Sequence, residues 1–257
     1  MTVVTPARAP ARGSYWVVIP AYNEARTIRD IVVRTLRHVN HVVVVDDGST
    51  DGTAEALDDL PIILLRNPLN CGKAASLWRG FQHALGARAC GVITLDGDGQ
   101  HLPEDIELLL AQAARAPDQL ILGARRRDQR RASFSRYCAN RFADFWISWA
   151  AGYPIADSQS GFRVYPARLL QQVRIKHGKA WSFVFESEIL IEGARLNYRA
   201  IPVPVDTLSR PRVRPSYFRP VLDVARITGM VACKLLSRGF YLPGLYRSLR
   251  DPIRPSE

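Results

Sequence analysis

Five short apolar runs in the first half of the chain constrain its fold more than any other feature. Residues 15–19, 42–45, 62–65, 92–95 and 120–122 are almost continuously hydrophobic, the second being four valines in a row. A strand with one wet face alternates apolar and polar residues, whereas a run without alternation is buried on both faces. Segments of helical period lie between the runs. Within 25–36, Ile28, Ile31, Val32, Thr35 and Leu36 share one side. Lys73 to Ala87 and Pro103 to Arg115 read as helices, with Pro103 in a first turn. Asp51 can cap a further helix reaching about Leu60. The βαβαβαβαβ order predicts an α/β chain with a mostly parallel central sheet and helices on both faces. Its 257 residues suffice for one large domain of that kind.

Ligands of such sheets bind at the carboxyl ends of the strands. Three polar constellations fall there: Pro20-Ala21-Tyr22-Asn23-Glu24, Asp46-Asp47-Gly48-Ser49 and Asp96-Gly97-Asp98-Gly99-Gln100-His101. In the third, an apolar strand delivers two carboxylates spaced i and i+2, which point the same way on a strand. Two oxygen ligands side by side make half a site for a hard cation such as Mg2+ or Mn2+. Gly97 and Gly99 permit a tight turn and close approach by phosphates. The same spacing also fits an acidic turn closing a buried strand.

After Gly123 the character changes. Arg125, Arg126, Arg127, Arg130 and Arg131 form a basic loop, and Phe134, Tyr137, Phe142, Phe145, Trp146 and Trp149 lie on the helix after it. Residues 182–195 read as a helix and 198–205 as a strand, which Pro202 and Pro204 mark as an edge. The formal net charge of +11 calls for an anionic partner: nucleotide, nucleic acid or acidic membrane surface. Nucleic acid is the poorer fit, because three acidic clusters on one sheet edge repel phosphates without a metal. No G-x-G-x-x-G follows the first strand, which argues against a dinucleotide-dependent dehydrogenase. Phosphatases of haloacid-dehalogenase type place D-x-D on their first strand, and here it ends the fourth. Four scattered cysteines lack metal-ligand spacing and point to a reducing compartment. Residues 1–13 have no apolar core and read as a disordered arm, not a signal peptide. No run reaches the roughly 18 apolar residues of a membrane span.

Together these motifs carry a resemblance. Val18-Ile19-Pro20-Ala21-Tyr22-Asn23-Glu24 and Val45-Asp46-Asp47-Gly48-Ser49-Thr50-Asp51-Gly52-Thr53 resemble the opening of a family-2 glycosyltransferase of GT-A fold. Asn67-Pro68-Leu69-Asn70-Cys71-Gly72-Lys73 is similar to the N-x-G-K segment of that family. Asp96 to His101 with Pro103-Glu104, and then Asp157-Ser158-Gln159-Ser160-Gly161-Phe162-Arg163, resemble the D-x-D-G-Q-H-x-P-E and D-x-x-S-G-F-R of its dolichyl-phosphate mannosyltransferase-like branch.

The resemblance runs from about residue 14 to 206. It implies a GT-A domain over 14–208, followed by a basic loop and amphipathic helix over 209–257. It further implies an inverting, metal-dependent glycosyltransferase that moves a sugar from a UDP- or GDP-linked nucleotide-sugar to a lipid-linked acceptor such as polyprenyl phosphate. A hydroxyl on another hydrophobic acceptor is the alternative. In this resemblance Pro20, Tyr22, Glu24 and Asp47 match positions that hold the base and ribose, with Lys73, Gly97 and Arg163 also on the donor side. Asp96, Asp98 and Gln100 match the metal-binding turn, and Arg125 faces a phosphate on the acceptor. A hydroxyl acceptor needs a carboxylate to take its proton, which Glu188 or Asp157 could do; a lipid phosphate needs none.

The chain departs from the branch in three places. Gly97 replaces an alanine, a change expected to be harmless. The terminal loop reads Arg210-Pro211-Arg212-Val213-Arg214-Pro215-Ser216 where an R-x-x-G-x-S-K-like pattern covers the diphosphate, and Arg210 is the first candidate for that contact. The C-terminal membrane spans of the branch are missing. The basic helix over 220–236, with the overall charge, predicts peripheral attachment to an anionic membrane surface on its cytoplasmic face.

Overall fold

The computed structural model describes residues 14–126, 134–178, 184–208 and 220–252, and the side chains among these apart from 134–139 and 220–223. Seven strands form one sheet: β1 (Tyr15–Ala21), β2 (Val42–Asp46), β3 (Ile63–Arg66), β4 (Gly91–Thr94), β5 (Leu120–Arg125), β6 (Arg163–Pro166) and β7 (Ala200–Val205). Their order is β3-β2-β1-β4-β6-β5-β7, and all pairings are parallel except those of β6 with β4 and with β5. The helices are α1 (Ile28–Thr35), α2 (Lys73–Gly86), α3 (Ile106–Arg115), α4 (Phe134–Ala151), α5 (Ala167–Gln172), α6 (Phe185–Arg195), α7 (Pro220–Leu236) and α8 (Leu242–Arg250). The fold is the mixed α/β arrangement expected, with a mostly parallel sheet.

The unbroken apolar runs have a simple cause. Val43 and Val45 belong to one buried cluster and Val42 and Val44 to the other, on the opposite face of the sheet. Trp16 and Val18 divide from Val17 and Ile19 in the same way. Contact between α2 and β1 is close enough that a Cβ at Gly80 would collide with Val18. Strand β7 pairs only with β5, so Pro202 and Pro204 sit on an edge as their missing N–H groups require.

Three local expectations are corrected. The helix from Asp51 to Leu60 is a single tight turn at Glu55–Leu57. Asp51 does not start a helix there: Oδ1 accepts the Thr53 N–H at 3.1 Å and Oδ2 the Ala25 N–H at 3.2 Å, which latches two loops together. Strand β6 was not evident in the sequence. The apolar face of α7 is turned inward: Met230, Val231 and Leu235 are buried in the main core, while Lys234 pairs with Glu188 and Glu192 on α6 at 2.9 and 2.5 Å. That face is therefore not the one offered to a membrane. Among the described residues no helix is long and apolar enough to cross one.

Tyr153 ties the end of α4 to β7. Its buried hydroxyl accepts the Ala200 N–H at 2.8 Å. Burial pushes this phenol up to about 12. An unfolded chain releases the proton near pH 10, so the native state binds more protons above that pH. The contribution is complete below about pH 10 and is lost as pH rises to about 12, in total on the order of 2–3 kcal/mol. Urea midpoints measured across that window are expected to fall more steeply for the wild type than for Tyr153→Phe.

Candidate active site

The loops after β1, β2 and β4 are bonded to one another at the carboxyl edge of the sheet. Asn23 N–H donates to Ser49 Oγ at 2.9 Å and Glu24 N–H to Thr53 Oγ1 at 2.8 Å. Thr27 Oγ1 donates to the Gly97 carbonyl at 2.7 Å. The three polar constellations thus converge on one edge. Beside them opens a polar cavity of about 190 Å³ whose lining includes Lys73, Asp96, Asp98, Gln100, Arg125 and Glu186.

Two positions on this edge depend on glycine. Gly48 has φ +75°, and a Cβ there would stand 2.7 Å from the Leu69 backbone. In the D-x-D turn it is Gly99, at φ +71°, that needs glycine's freedom. A Cβ on Gly97 would meet Ile28, Pro20 and Glu24 at 3.4–3.5 Å, ordinary contact distances. Gly97→Ala is therefore expected to change stability by less than about 0.5 kcal/mol, which thermal or urea unfolding checks directly.

Lys73 is the first residue of α2, and its Nζ lies 2.7 Å from Asp96 Oδ1 and 3.1 Å from Glu186 Oε2. Burial opposes the ammonium's charge, but Asp96 and Glu186 outweigh it and hold its pKa above that of an ordinary lysine. Burial likewise opposes the charge of Asp96, and Lys73 keeps its carboxyl below the usual range. Asp98 Oδ1 accepts the Gln100 N–H at 3.0 Å, and Oδ2 accepts the Gln100 side-chain amide at 2.7 Å. His101 is buried against Phe162, and burial lowers its pKa to about 4, so the ring is neutral near pH 7.

Arg125 lies at the end of β5 and is held by Asp157. Its Nε and Nη2 donate to Asp157 Oδ2 and Oδ1 at 2.8 and 2.9 Å, and its backbone N–H also donates to Oδ2, at 3.1 Å. Asp157 is buried, does not line the cavity and is occupied by this clamp. It positions Arg125 and is poorly placed to take a proton. The next residue, Ser158, donates from its N–H and hydroxyl to buried Asp144 of α4, at 2.9 and 2.7 Å. The sequence reading missed Asp144, since a single acid on an aromatic helix carries no signal.

Three more expected site residues, Asp47, Arg163 and Glu188, have side chains engaged inside the protein. Asp47 is buried, and its carboxylate accepts from Asn67 Nδ2, Cys71 N–H and Gly72 N–H at 2.7, 2.9 and 2.7 Å. It shapes the loop that presents Lys73. Arg163 is fully buried and donates to the carbonyls of Ser160, Ser158 and Glu186 at 2.7, 2.9 and 2.5 Å, so it braces the site from within. Glu188 faces Lys234 and a separate groove against α7. Glu186, two residues earlier, is the one that enters the cavity, and its Oε1 is buried without a hydrogen-bond partner. Pro20 lies near the end of β1, and Tyr22 and Glu24 lie on the loop after it, all outside the cavity lining. Arg210 lies outside the described residues, as do Arg127, Arg130, Arg131 and residues 1–13.

The donor set suits a hard divalent cation: Asp96, Asp98 and the amide oxygen of Gln100 offer oxygen atoms at one turn. Among the described residues no three His, Cys, Asp or Glu side chains form a complete cage. An ion here would need further oxygens from water or a bound phosphate.

Comparison with known proteins follows this geometry. The family described as glycosyl transferase family 2 matches residues 16–176. A UDP-N-acetylglucosamine–dolichyl-phosphate N-acetylglucosaminyltransferase of Methanococcus voltae is 25% identical over 213 residues, covering 73% of this chain and 84% of the relative. A polyprenol monophosphomannose synthase of Mycolicibacterium smegmatis is 25% identical over 206 residues, covering 76% and 77%. The crystal structure of glucosyl-3-phosphoglycerate synthase from Mycobacterium tuberculosis with Mn2+, UDP-glucose and phosphoglyceric acid superposes with a TM-score of 0.63 at 22% identity, over 88% of this chain and 79% of that one. The chain belongs to glycosyl transferase family 2 and is a glycosyltransferase of GT-A fold.

Proposed function

We propose that this enzyme transfers a sugar, with inversion, from a UDP- or GDP-linked donor to a polyprenyl phosphate or a related lipid-linked acceptor. The observation that carries the reading is the cavity in which Asp96, Asp98, Lys73, Glu186 and Arg125 meet at the carboxyl edge of the sheet. Asp96, Asp98 and Gln100 are the residues that would hold Mg2+ or Mn2+, a cation that would offset charge on the departing nucleoside diphosphate. Lys73, at the N-terminus of α2, faces the same phosphates; a helix N-terminus favours anions. The end of β1 with the loop after it, carrying Pro20, Tyr22 and Glu24, offers a surface for base and ribose beside the D-x-D turn. Arg125, fixed by Asp157, presents a preset guanidinium to the acceptor's phosphate. A phosphate oxyanion is already nucleophilic, so the commitment of Asp157 to Arg125 costs this chemistry nothing. For a hydroxyl acceptor, Glu186 is the carboxylate placed to take the proton.

Access to a lipid is consistent with the surface beyond the site. On α8, Leu242, Tyr246 and Leu249 share one face and are 58–67% exposed. Phe240 precedes them, and its carbonyl accepts the Trp149 indole N–H at 3.0 Å, joining this face to the aromatic end of α4. Arg238, Arg247 and Arg250 flank it. Apolar side chains ringed by arginine fit the headgroup region of an anionic bilayer, which supports peripheral attachment of the enzyme to a membrane surface. Leu242→Ser with Leu249→Ser is expected to weaken sedimentation with phosphatidylglycerol vesicles about tenfold or more, since losing two buried leucine contacts exceeds 1.4 kcal/mol.

The donor assignment is tested by calorimetry with UDP and GDP, each with and without Mn2+. Tight binding of one nucleotide only with metal is the expected result. A folded protein that binds neither would remove the donor site as assigned here.

A further inference from the structure

We infer that Lys73 is an internal counter-ion that keeps a divalent cation out of the Asp96–Asp98 turn until a nucleoside diphosphate arrives to take the lysine over. The inference rests on the donor site proposed above and adds an order of binding to it. Three observations carry it.

The first is placement. Lys73 Nζ sits between Asp96 Oδ1 at 2.7 Å and Glu186 Oε2 at 3.1 Å, so an ammonium already satisfies the carboxylate that a metal would need. The second is that no easy alternative exists for that ammonium. Lys73 begins α2, whose first turn holds no acidic side chain, so the helix end adds its own partial positive charge. The preceding Gly72 is fixed, its N–H donating to buried Asp47 at 2.7 Å. Lys73 thus depends on Asp96 and Glu186 until another anion enters. The third is the room for such an exchange. A Cβ at Gly161 would stand 2.7 Å from Asp96 Oδ2, 3.0 Å from Lys73 Nζ and 3.1 Å from Glu186 Oε1, so glycine keeps the space over all three groups open. Glu186 Oε1 faces that space without a partner.

A cation entering alone meets a fixed positive charge and too few protein ligands. When it enters with a diphosphate, both deficits are met. The phosphate oxygens complete the ion's coordination, and they give Lys73 and the start of α2 an anion in place of Asp96. Metal and nucleotide then bind cooperatively, and by linkage each tightens the other by the same factor. The substitution Lys73→Met separates the lysine's contribution from that of ligand number, because it removes the charge and leaves the carboxylates.

The test is a titration of the full chain with Mn2+, followed by the paramagnetic resonance of free ion, with and without UDP or GDP. Wild type is expected to bind Mn2+ weakly alone and more tightly with the matching nucleotide. Lys73→Met is expected to bind Mn2+ alone at least about fivefold more tightly than wild type, within the usual range of coupling between sites, and to gain less from nucleotide. Lys73→Arg, which keeps the charge, is expected to behave like wild type. If Lys73→Met does not fold, Lys73→Gln serves the same comparison. Nucleotide-dependent Mn2+ binding in wild type with no gain in the charge-removing variant would overturn the role of Lys73 alone. Absence of nucleotide-dependent binding in wild type would overturn the donor site and this inference together.

Discussion

Replacing Arg163 with methionine is expected to destabilise the protein by about 3–5 kcal/mol, because three interior carbonyls lose a charged donor at roughly 1–3 kcal/mol each. Arg163 is fully buried, yet its guanidinium meets main-chain carbonyls, not a carboxylate. Deleting it leaves the carbonyls of Ser158, Ser160 and Glu186 in the interior without their donor. Lysine is not expected to rescue it, because one ammonium cannot reproduce the planar fork that reaches three separated carbonyls. Urea unfolding of Arg163→Met and Arg163→Lys measures both effects, and a loss below about 1 kcal/mol in either would show that the bracing is dispensable. Because the same side chain holds the start of α6 beside the 158–161 loop, a folded fraction of the variant is also expected to misplace Glu186.

The second large effect concerns chemistry. Asp98→Ala is expected to lower transfer by about 10²–10³-fold, as is typical when one preorganised group that offsets developing charge is lost. Stability should change little, since Asp98 is only half-buried. Asp98→Asn separates the two roles. It can still accept the Gln100 N–H and so keep the turn, but it carries no charge for a cation. Initial rates with UDP- and GDP-sugars over a Mn2+ series decide the matter. Recovery of either variant at raised Mn2+ would place the defect in metal affinity, whereas full activity in Asp98→Asn without extra metal would exclude the assigned role of its charge.

How much of this was legible in the sequence varies residue by residue. The valine run of β2 announced burial on both faces, because nothing else explains four consecutive apolar side chains in a strand of that length. The meeting of the Asn23, Ser49 and Gly97 loops was legible once those runs were read as parallel strands. Strand β6 was not, because four residues that include an arginine and a proline have no strand signature of their own; pairing with β4 and β5 makes them a strand. The choice between Glu186 and Glu188 was also out of reach. Two residues on a helix differ by about 200° in direction, and only the docking of Lys234 from α7 shows which direction leads away from the cavity. Asp47 and Asp157 illustrate a further limit. A motif can mark where an acid is needed, but not whether it touches a ligand or the loop that does.

The reversed direction of β6 has a consequence for how such an enzyme can change. Since β6 runs opposite to β4 and β5, the chain enters it at the edge where β4 delivers Asp96 and leaves it at the far side. The segment between β5 and β6, which includes α4, is thus a detour that departs from the catalytic edge and returns to it. Its two ends are clasped by the pair of Arg125 with Asp157. Such a detour can be lengthened, shortened or exchanged while helix α2, which bears Lys73, and strand β4, which leads into the D-x-D turn, keep their places. Selection acting there can diversify one half of the reaction while the other half stays as it was.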